Sequence, residues 1–345
     1  MCVKVAWVWP PASYPKSFWL EEKRDGMQYT IEEIAKEHDV LLLAPVGMDP
    51  MRIGWKFFYR SSIKALLALK EFDPDIINLN CFGAGINREI VTEFPNALIT
   101  LYDHGGNLTS PNSEHVDVFF TAQEYRRELV AQRSRVPIEK VFFNPHGYDP
   151  KRFYPDDSVE KTYTGIMVGD FRRFKGQDMI IHNWKDVEGK LLLIGRTCAP
   201  LGDSVYVGEL RSLAERLGLS DRVEIQDFVP HDELPRIINS AEIGIHMSTS
   251  ESGSRAITEM MACGLPMIVM NRCRANVDWV KDGGLAVEHG INGMAPNSIG
   301  STVRLLKKDP AMYQKLREAA LRTIKPYTYD RMLTTFKKVI EGAHA

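Results

Sequence analysis

The sequence predicts an α/β protein built from two consecutive Rossmann-like, doubly wound and mostly parallel sheets. Three observations predict it. Strand-length apolar runs alternate with helix-like segments through the first half of the chain. A passage rich in Pro, Gly and Asp, Asn144 to Asp157, interrupts that alternation, which then starts afresh. Finally, 345 residues with 44% hydrophobic composition suffice to bury two cores.

In order, the first set has strands at Val3–Val8, Val40–Ala44, Ile76–Leu79, Ala97–Leu101, Val116–Phe120 and Val141–Phe143. A helix from about Trp19 to Glu37, interrupted by Gly26, and another from about Gly54 to Lys70 connect them. The second set has strands at Tyr163–Val168, Leu191–Ile194, Val223–Ile225, Ile243–His246 and Met267–Met270. Their near-continuous apolar character is that of parallel strands covered on both faces. Domains of 1–150 and 151–326 follow, with a last helix at about Asp330–Glu341. Ligands of such sheets bind beyond the strand C-termini, which predicts a central cleft that both domains face.

Composition excludes several functions. A net charge of −2 gives no bulk electrostatic case for nucleic acid. The five cysteines form no CxxC and read as reduced thiols of a cytoplasmic protein. No apolar run approaches the ~18 residues of a membrane span, and no leader is expected. Gly-x-Gly-x-x-Gly is missing after Val8, Val168 and Ile194, and the Walker loop is missing altogether, which argues against nicotinamide or flavin cofactors. Asp73-Pro-Asp75 reads as a turn between helix and strand, and no metal is assigned.

The densest chemical signal is Glu251 to Pro266, ESGSRAITEMMACGLP. Ser252, Gly253 and Ser254 suit a helix entry, Ile257, Met260 and Met261 make an apolar stripe, and Gly264 and Pro266 stop the helix. Glu251 precedes this helix and Glu259 lies on it, on the order of 8–12 Å apart at ~1.5 Å per residue. Two readings are open. Glu251 can favour the helix dipole while Glu259 pairs with Arg255 one turn back. Alternatively, the two acids bracket an extended ligand whose anionic middle meets the free N–H groups of the helix start, as a sugar nucleotide would.

This stretch resembles the signature of the family-4 retaining glycosyltransferases of GT-B fold: Glu, seven residues, Glu, then Ala-x-Gly-x-Pro. It departs at Gly253 and Ser254, where that family commonly has Phe then Gly. The resemblance implies that Glu251 meets donor sugar hydroxyls and Glu259 the nucleotide ribose, with Gly253, Ser254 and Arg255 at the helix end facing the diphosphate. Further matches are Gly169, Lys175 and Gly176 in GDFRRFKG, where the family's cations hold the diphosphate. Asp170 stands where the family has Arg, so Arg172 or Arg173 is expected to substitute. His104, after the strand ending at Leu101, matches a family His beside the reacting carbon. Asn144 to Asp149 resembles the family's domain-junction segment, and Phe228 to Leu234 its base-reading loop. The last helix, in 327–345, is expected to pack back on the first domain.

The activity so implied is metal-independent transfer of a hexose from a nucleoside-diphosphate sugar, with retention, to a saccharide, lipid-linked or small-molecule acceptor. No cofactor is implied beyond the donor. A nucleotide-sugar epimerase, a phosphorylase-like enzyme and a non-catalytic sugar-nucleotide-binding subunit are the alternatives. The first loop, Pro10 to Ser17, lacks the family's Gly-Gly pair. From Met51 to Lys70, Arg52, Lys56, Arg60 and Lys64 recur at helical spacing among aromatics, which fits either a solvated face or peripheral contact with acidic membrane.

Overall fold

The computed structural model describes residues 2–8, 26–45, 51–53, 56–59, 62–80, 86–104, 113–197, 204–251, 253–288 and 298–342. The expectations for Pro10–Ser17, residues 19–25, Gly105, Gly106, Ser252, Cys81 and Cys198 lie outside these residues. The chain forms two compact units: Met1–Gly147 with Tyr327–Ala345, and Tyr148–Pro326.

The first unit runs β1 (Lys4–Val8), α1 (Gly26–Ile34), β2 (Asp39–Pro45), β3 (Met51–Ile53), β4 (Lys56–Tyr59), α2 (Ser62–Phe72), β5 (Ile76–Asn80), α3 (Ile86–Glu93), β6 (Leu98–Asp103), β7 (Val118–Thr121), α4 (Arg126–Ser134) and β8 (Val141–Phe143). Its sheet has the order β3-β4-β2-β1-β5-β6-β7-β8 and is parallel except for β3 against β4. The two-residue period divides β1 between two cores. Val5 and Trp7 join Met27 and Ile31 of α1, whereas Ala6 and Val8 join Ala65, Ala68 and Leu69 of α2.

The expected helix from Gly54 to Lys70 is corrected here. Its first part is the antiparallel β3–β4 pair, and helix starts only at Ser62. Lys-Phe-Phe-Tyr carries the aromatic bias of a strand, and pairing with β2 overrides the helical spacing of the basic residues. Arg52, Lys56 and Lys64 therefore do not share one helix face, which removes the register behind the membrane reading of 51–70. Among the described residues no helix is long and apolar enough to cross a membrane.

The second unit runs β9 (Tyr163–Val168), α5 (Gln177–Asn183), β10 (Leu191–Ile194), α6 (Ser204–Arg216), β11 (Val223–Gln226), α7 (Leu234–Asn239), β12 (Ala241–His246), α8 (Arg255–Ala262), β13 (Met267–Met270), α9 (Arg274–Val280), β14 (Gly284–Val287), α10 (Ile299–Lys308) and α11 (Pro310–Ile324). Its six strands are all parallel, in the order β11-β10-β9-β12-β13-β14. β14 was not expected: Gly-Leu-Ala-Val is short and weakly apolar, and its pairing with β13 makes it a strand.

A final helix, α12 (Tyr329–Gly342), belongs to the first unit and buries Met332, Phe336, Val339 and Ile340 in the core shared with α1. Phe336 lies 4.2 Å from Phe120 and 6.0 Å from Trp7, ring centroid to ring centroid. We predict that Phe336→Ala lowers stability by about 3–5 kcal/mol, the usual cost of emptying a packed aromatic site. Lys337→Ala breaks only an exposed pair with Glu37 and should leave stability close to that of the parent. Urea unfolding of the full chain checks both, and equal midpoints would contradict the packing role of α12.

Candidate functional site

The site is assembled in the second unit, where β9 and β12 lie side by side and their C-terminal loops meet. After β9 the chain passes Gly169 and Asp170, makes a 3₁₀ turn over Arg173–Lys175, and enters α5 through Gly176 at φ +76°. A Cβ at Gly176 would stand 2.7 Å from the Met247 carbonyl oxygen, so glycine is required by both space and φ. The loop after β12 is tied to this turn, since the Thr249 N–H donates to the Phe174 carbonyl at 2.8 Å.

That junction brings Lys175 to Glu251, with Nζ 2.5 Å from Oε1. Their side chains are only 15% and 11% exposed, so the pair is largely removed from water. Beyond it, Ser254 caps α8, its Oγ accepting from the Ile257 N–H at 3.5 Å. The helix closes in a Schellman arrangement: Gly264, at φ +79°, donates to Met261 and Leu265 donates to Met260. α8 thus carries a satisfied cap at its start and an orderly stop before β13.

Glu259 lies on α8 with a side chain 7% exposed, and its Oε1 is 2.9 Å from His231 Nε2. It does not lie on a solvated face paired with Arg255, which is itself exposed. His231 comes from the Phe228–Leu234 segment, and its ring packs 5.3 Å from Phe153. Neither acid points outward, and α8 buries every described side chain from Ile257 to Ala262.

The neighbouring cations separate. Arg172 is half-buried, with its guanidinium 6.0 Å from the Phe174 ring. Arg173 turns instead to α6, bonding Glu209 at 2.6 Å and covering Tyr206, and is 67% exposed. Asp170 faces Arg196 at 3.7 Å, a cation from the loop after β10 that no motif spacing had indicated.

The residue that sequence reasoning missed outright is His246, the last residue of β12. It is fully buried, with Nε2 3.1 Å from Ser254 Oγ and 3.6 Å from Glu251 Oε1. Its Nδ1 lies 3.4 Å from Asn276 Nδ2. Burial lowers its pKa to about 4 against the opposing pull of Glu251, so the imidazole is neutral at pH 7. At the end of an apolar run it reads from sequence as one more core residue; only the fold brings it beneath Glu251.

His104 belongs to the first unit. It follows β6 with Nε2 3.5 Å from Asn80 Oδ1, and its ring lies 4.6 Å from Tyr102 and 5.2 Å from His146. Asn78 and Asn80 are buried and bonded to each other, beside an Asp103–Arg126 pair with Nε 2.7 Å from Oδ2. Among the described residues no group of His, Cys, Asp and Glu is arranged to hold a metal.

Residues 152–323 match the family of glycosyl transferases group 1. D-inositol 3-phosphate glycosyltransferase 1 of Catenulispora acidiphila is 26% identical over 250 residues, covering 64% of this chain and 57% of its own length. The human GDP-Man:Man(3)GlcNAc(2)-PP-Dol alpha-1,2-mannosyltransferase is 27% identical over 190 residues, covering 51% and 38%. The chain therefore spans little more than half, or less, of the length of these curated relatives. Among solved structures, Anabaena HepE in complex with UDP and glucose superposes with a TM-score of 0.77 at 15% identity, covering 99% of this chain and 100% of that one. Sucrose-phosphate synthase of Thermosynechococcus elongatus gives 0.74 at 14%, covering 99% and 98%. At such identities the likeness is one of fold, and the fold is GT-B.

The buried imidazole gives a prediction. Between its ordinary pKa near 6.5 and about 4, the unfolded chain protonates His246 and the folded chain does not. Stability therefore falls as pH drops through that window. The groups facing the ring are Glu251, Lys175, Ser254 and Asn276. Urea midpoints at pH 7 and pH 5 should differ less for His246→Gln than for the parent protein; equal losses would contradict the assignment.

Proposed function

The chain belongs to the glycosyl transferases group 1 family, and from that premise we propose that it moves a hexose from a nucleoside-diphosphate sugar to an acceptor hydroxyl, with retention and without a metal ion. The observation that carries this reading is the Lys175–Glu251 pair set before α8, with Glu259 buried on the same helix. Each partner of that pair suits a different part of one donor. A diphosphate engages the ammonium of Lys175, while sugar hydroxyls donate to Glu251. In this reading Glu259, beside His231, accepts from ribose hydroxyls.

The principal chemical task is to stabilise charge building up on the departing diphosphate. Lys175, Arg172 and the N-terminal end of α8 at Gly253 to Arg255 supply positive potential for it. Arg173 is engaged by Glu209, so of the two arginines Arg172 is assigned the phosphate role. Gly169 lets the backbone approach that group, and His104 is assigned to the transfer step by family resemblance. The acceptor oxygen bonds to the anomeric carbon on the face from which the phosphate leaves. The carbon–oxygen bond to phosphate breaks, and a departing phosphate oxygen takes the acceptor's proton. Relatives whose names carry GDP-mannose and structures holding UDP-glucose make the two nucleotides the first donors to test.

Calorimetry with UDP, GDP and ADP, and release assays with their hexose derivatives, test the assignment. Glu259→Ala should weaken nucleoside diphosphate binding about 10-fold or more, the worth of hydrogen bonds to a charged group. Glu251→Ala should leave that affinity equal or tighter, because Lys175 is freed, yet lower turnover by about 100-fold. Equal nucleotide affinities for both variants and the parent would remove Glu259 from the ribose. Sugar isomerisation without an acceptor would favour an epimerase, and binding without turnover a donor-binding subunit.

A further inference from the structure

His246 sits where three elements converge, at the end of β12, below the cap of α8 and against α9. One edge of its ring faces both Ser254 Oγ, at 3.1 Å, and Glu251 Oε1, at 3.6 Å. The other edge faces the Asn276 side-chain amide at 3.4 Å. The tautomer follows from this arrangement. An Nε2 lone pair aimed at a carboxylate would repel it, so the proton sits on Nε2 and the Asn276 amide donates to Nδ1.

We infer that His246 is a positioning residue for donor-sugar recognition: its Nε2–H bonds the Ser254 cap at 3.1 Å and turns the polar edge of the ring to the Glu251 carboxylate at 3.6 Å, fixing both relative to Lys175. The role rests on the donor reading above. Its physical content is a division of labour around Glu251. Lys175 balances the charge of the carboxylate, and once a diphosphate draws that ammonium away, a neutral donor still holds the acid in place. A protonated imidazole would instead compete with Lys175 as a counter-ion. The buried ring supplies direction without a second charge.

The departure at Gly253–Ser254 belongs to the same device. The hydroxyl of Ser254 is the group that His246 reaches, and it also accepts from the Ile257 N–H that starts α8. Ring, cap and acid are thus linked through side chains of this chain's own sequence. Glu259 is held separately by His231, so the proposed ribose contact is not coupled to His246 through any of these bonds.

The test compares the parent protein with His246→Leu and His246→Gln by calorimetry on UDP, UDP-glucose, GDP and GDP-mannose. His246→Leu should reduce the affinity gained from the sugar about threefold or more, the worth of an ordinary hydrogen bond and the polar contact beside it, with the bare diphosphates bound within about twofold. His246→Gln, whose Nε2–H replaces that of the imidazole, should restore most of the gain. Nitrogen-15 NMR of the parent should show the Nε2–H tautomer, with ring resonances that move in Glu251→Gln. An unchanged sugar gain in His246→Leu overturns the role, as does equal weakening of diphosphates and sugar nucleotides. The Nδ1–H tautomer overturns it too. A parent protein that binds none of the four ligands overturns the donor reading itself and this role with it.

Discussion

The ion pair between Lys175 and Glu251 is the constraint around which the second unit's site is arranged. Two charges so little exposed lose much of their hydration, and their attraction recovers this only if geometry is good and the remaining polar atoms are occupied. The surroundings meet that condition. Gly176 allows the left-handed step that turns Lys175 inward, and the Phe174–Thr249 bond fixes the lysine's turn to the glutamate's loop. His246 meets Glu251 from below. Each of these depends on the pairing of β9 with β12, which puts the two loops side by side.

The sheets make such an arrangement affordable in a literal structural sense: they provide rigid edges from which short loops project. Leu191 to Ile194 and Met267 to Met270 are buried at every position, as strands covered on both faces must be. Burial on this scale stabilises the units through apolar area, leaving the loops free to hold polar groups whose own contribution to stability is small or negative. In the first unit the same logic places Asn78, Asn80 and the Asp103–Arg126 pair at the strand ends, above a core closed by α12.

Much of this was legible in the sequence, for reasons that differ by element. Parallel strands announce themselves because both faces must be apolar, and α8 because cap, stripe and Gly-x-Pro stop all agree. The β3–β4 pair was misread because basic residues spaced by four imitate a helix, whereas strand pairing decided the outcome. β14 escaped because Gly284 and Ala286 weaken its pattern. Glu251, Glu259 and Lys175 stood out in the sequence through the family resemblance, not through spacing alone. Their histidine partners were not, since His246 and His231 reach them only through contacts set by the fold. Nor could sequence choose between Arg172 and Arg173, whose divergence is fixed by the 3₁₀ turn and by Glu209 on α6.

A site with two buried acids is at first sight a poor place for a doubly charged diphosphate, and the geometry resolves this. Glu251 is balanced by Lys175, and Glu259 is engaged by the His231 ring, so each carboxylate is held by a partner of its own. Between them lies the positive end of α8, with Arg172 near at hand. His246 stays neutral because burial outweighs the pull of Glu251. Were it charged, it would tie up the carboxylate that is proposed to receive sugar hydroxyls. Neutrality at that one ring therefore lets Glu251 serve in turn as counter-ion to Lys175 and as acceptor to a sugar, and the two roles exclude each other only while Lys175 has no phosphate to bind.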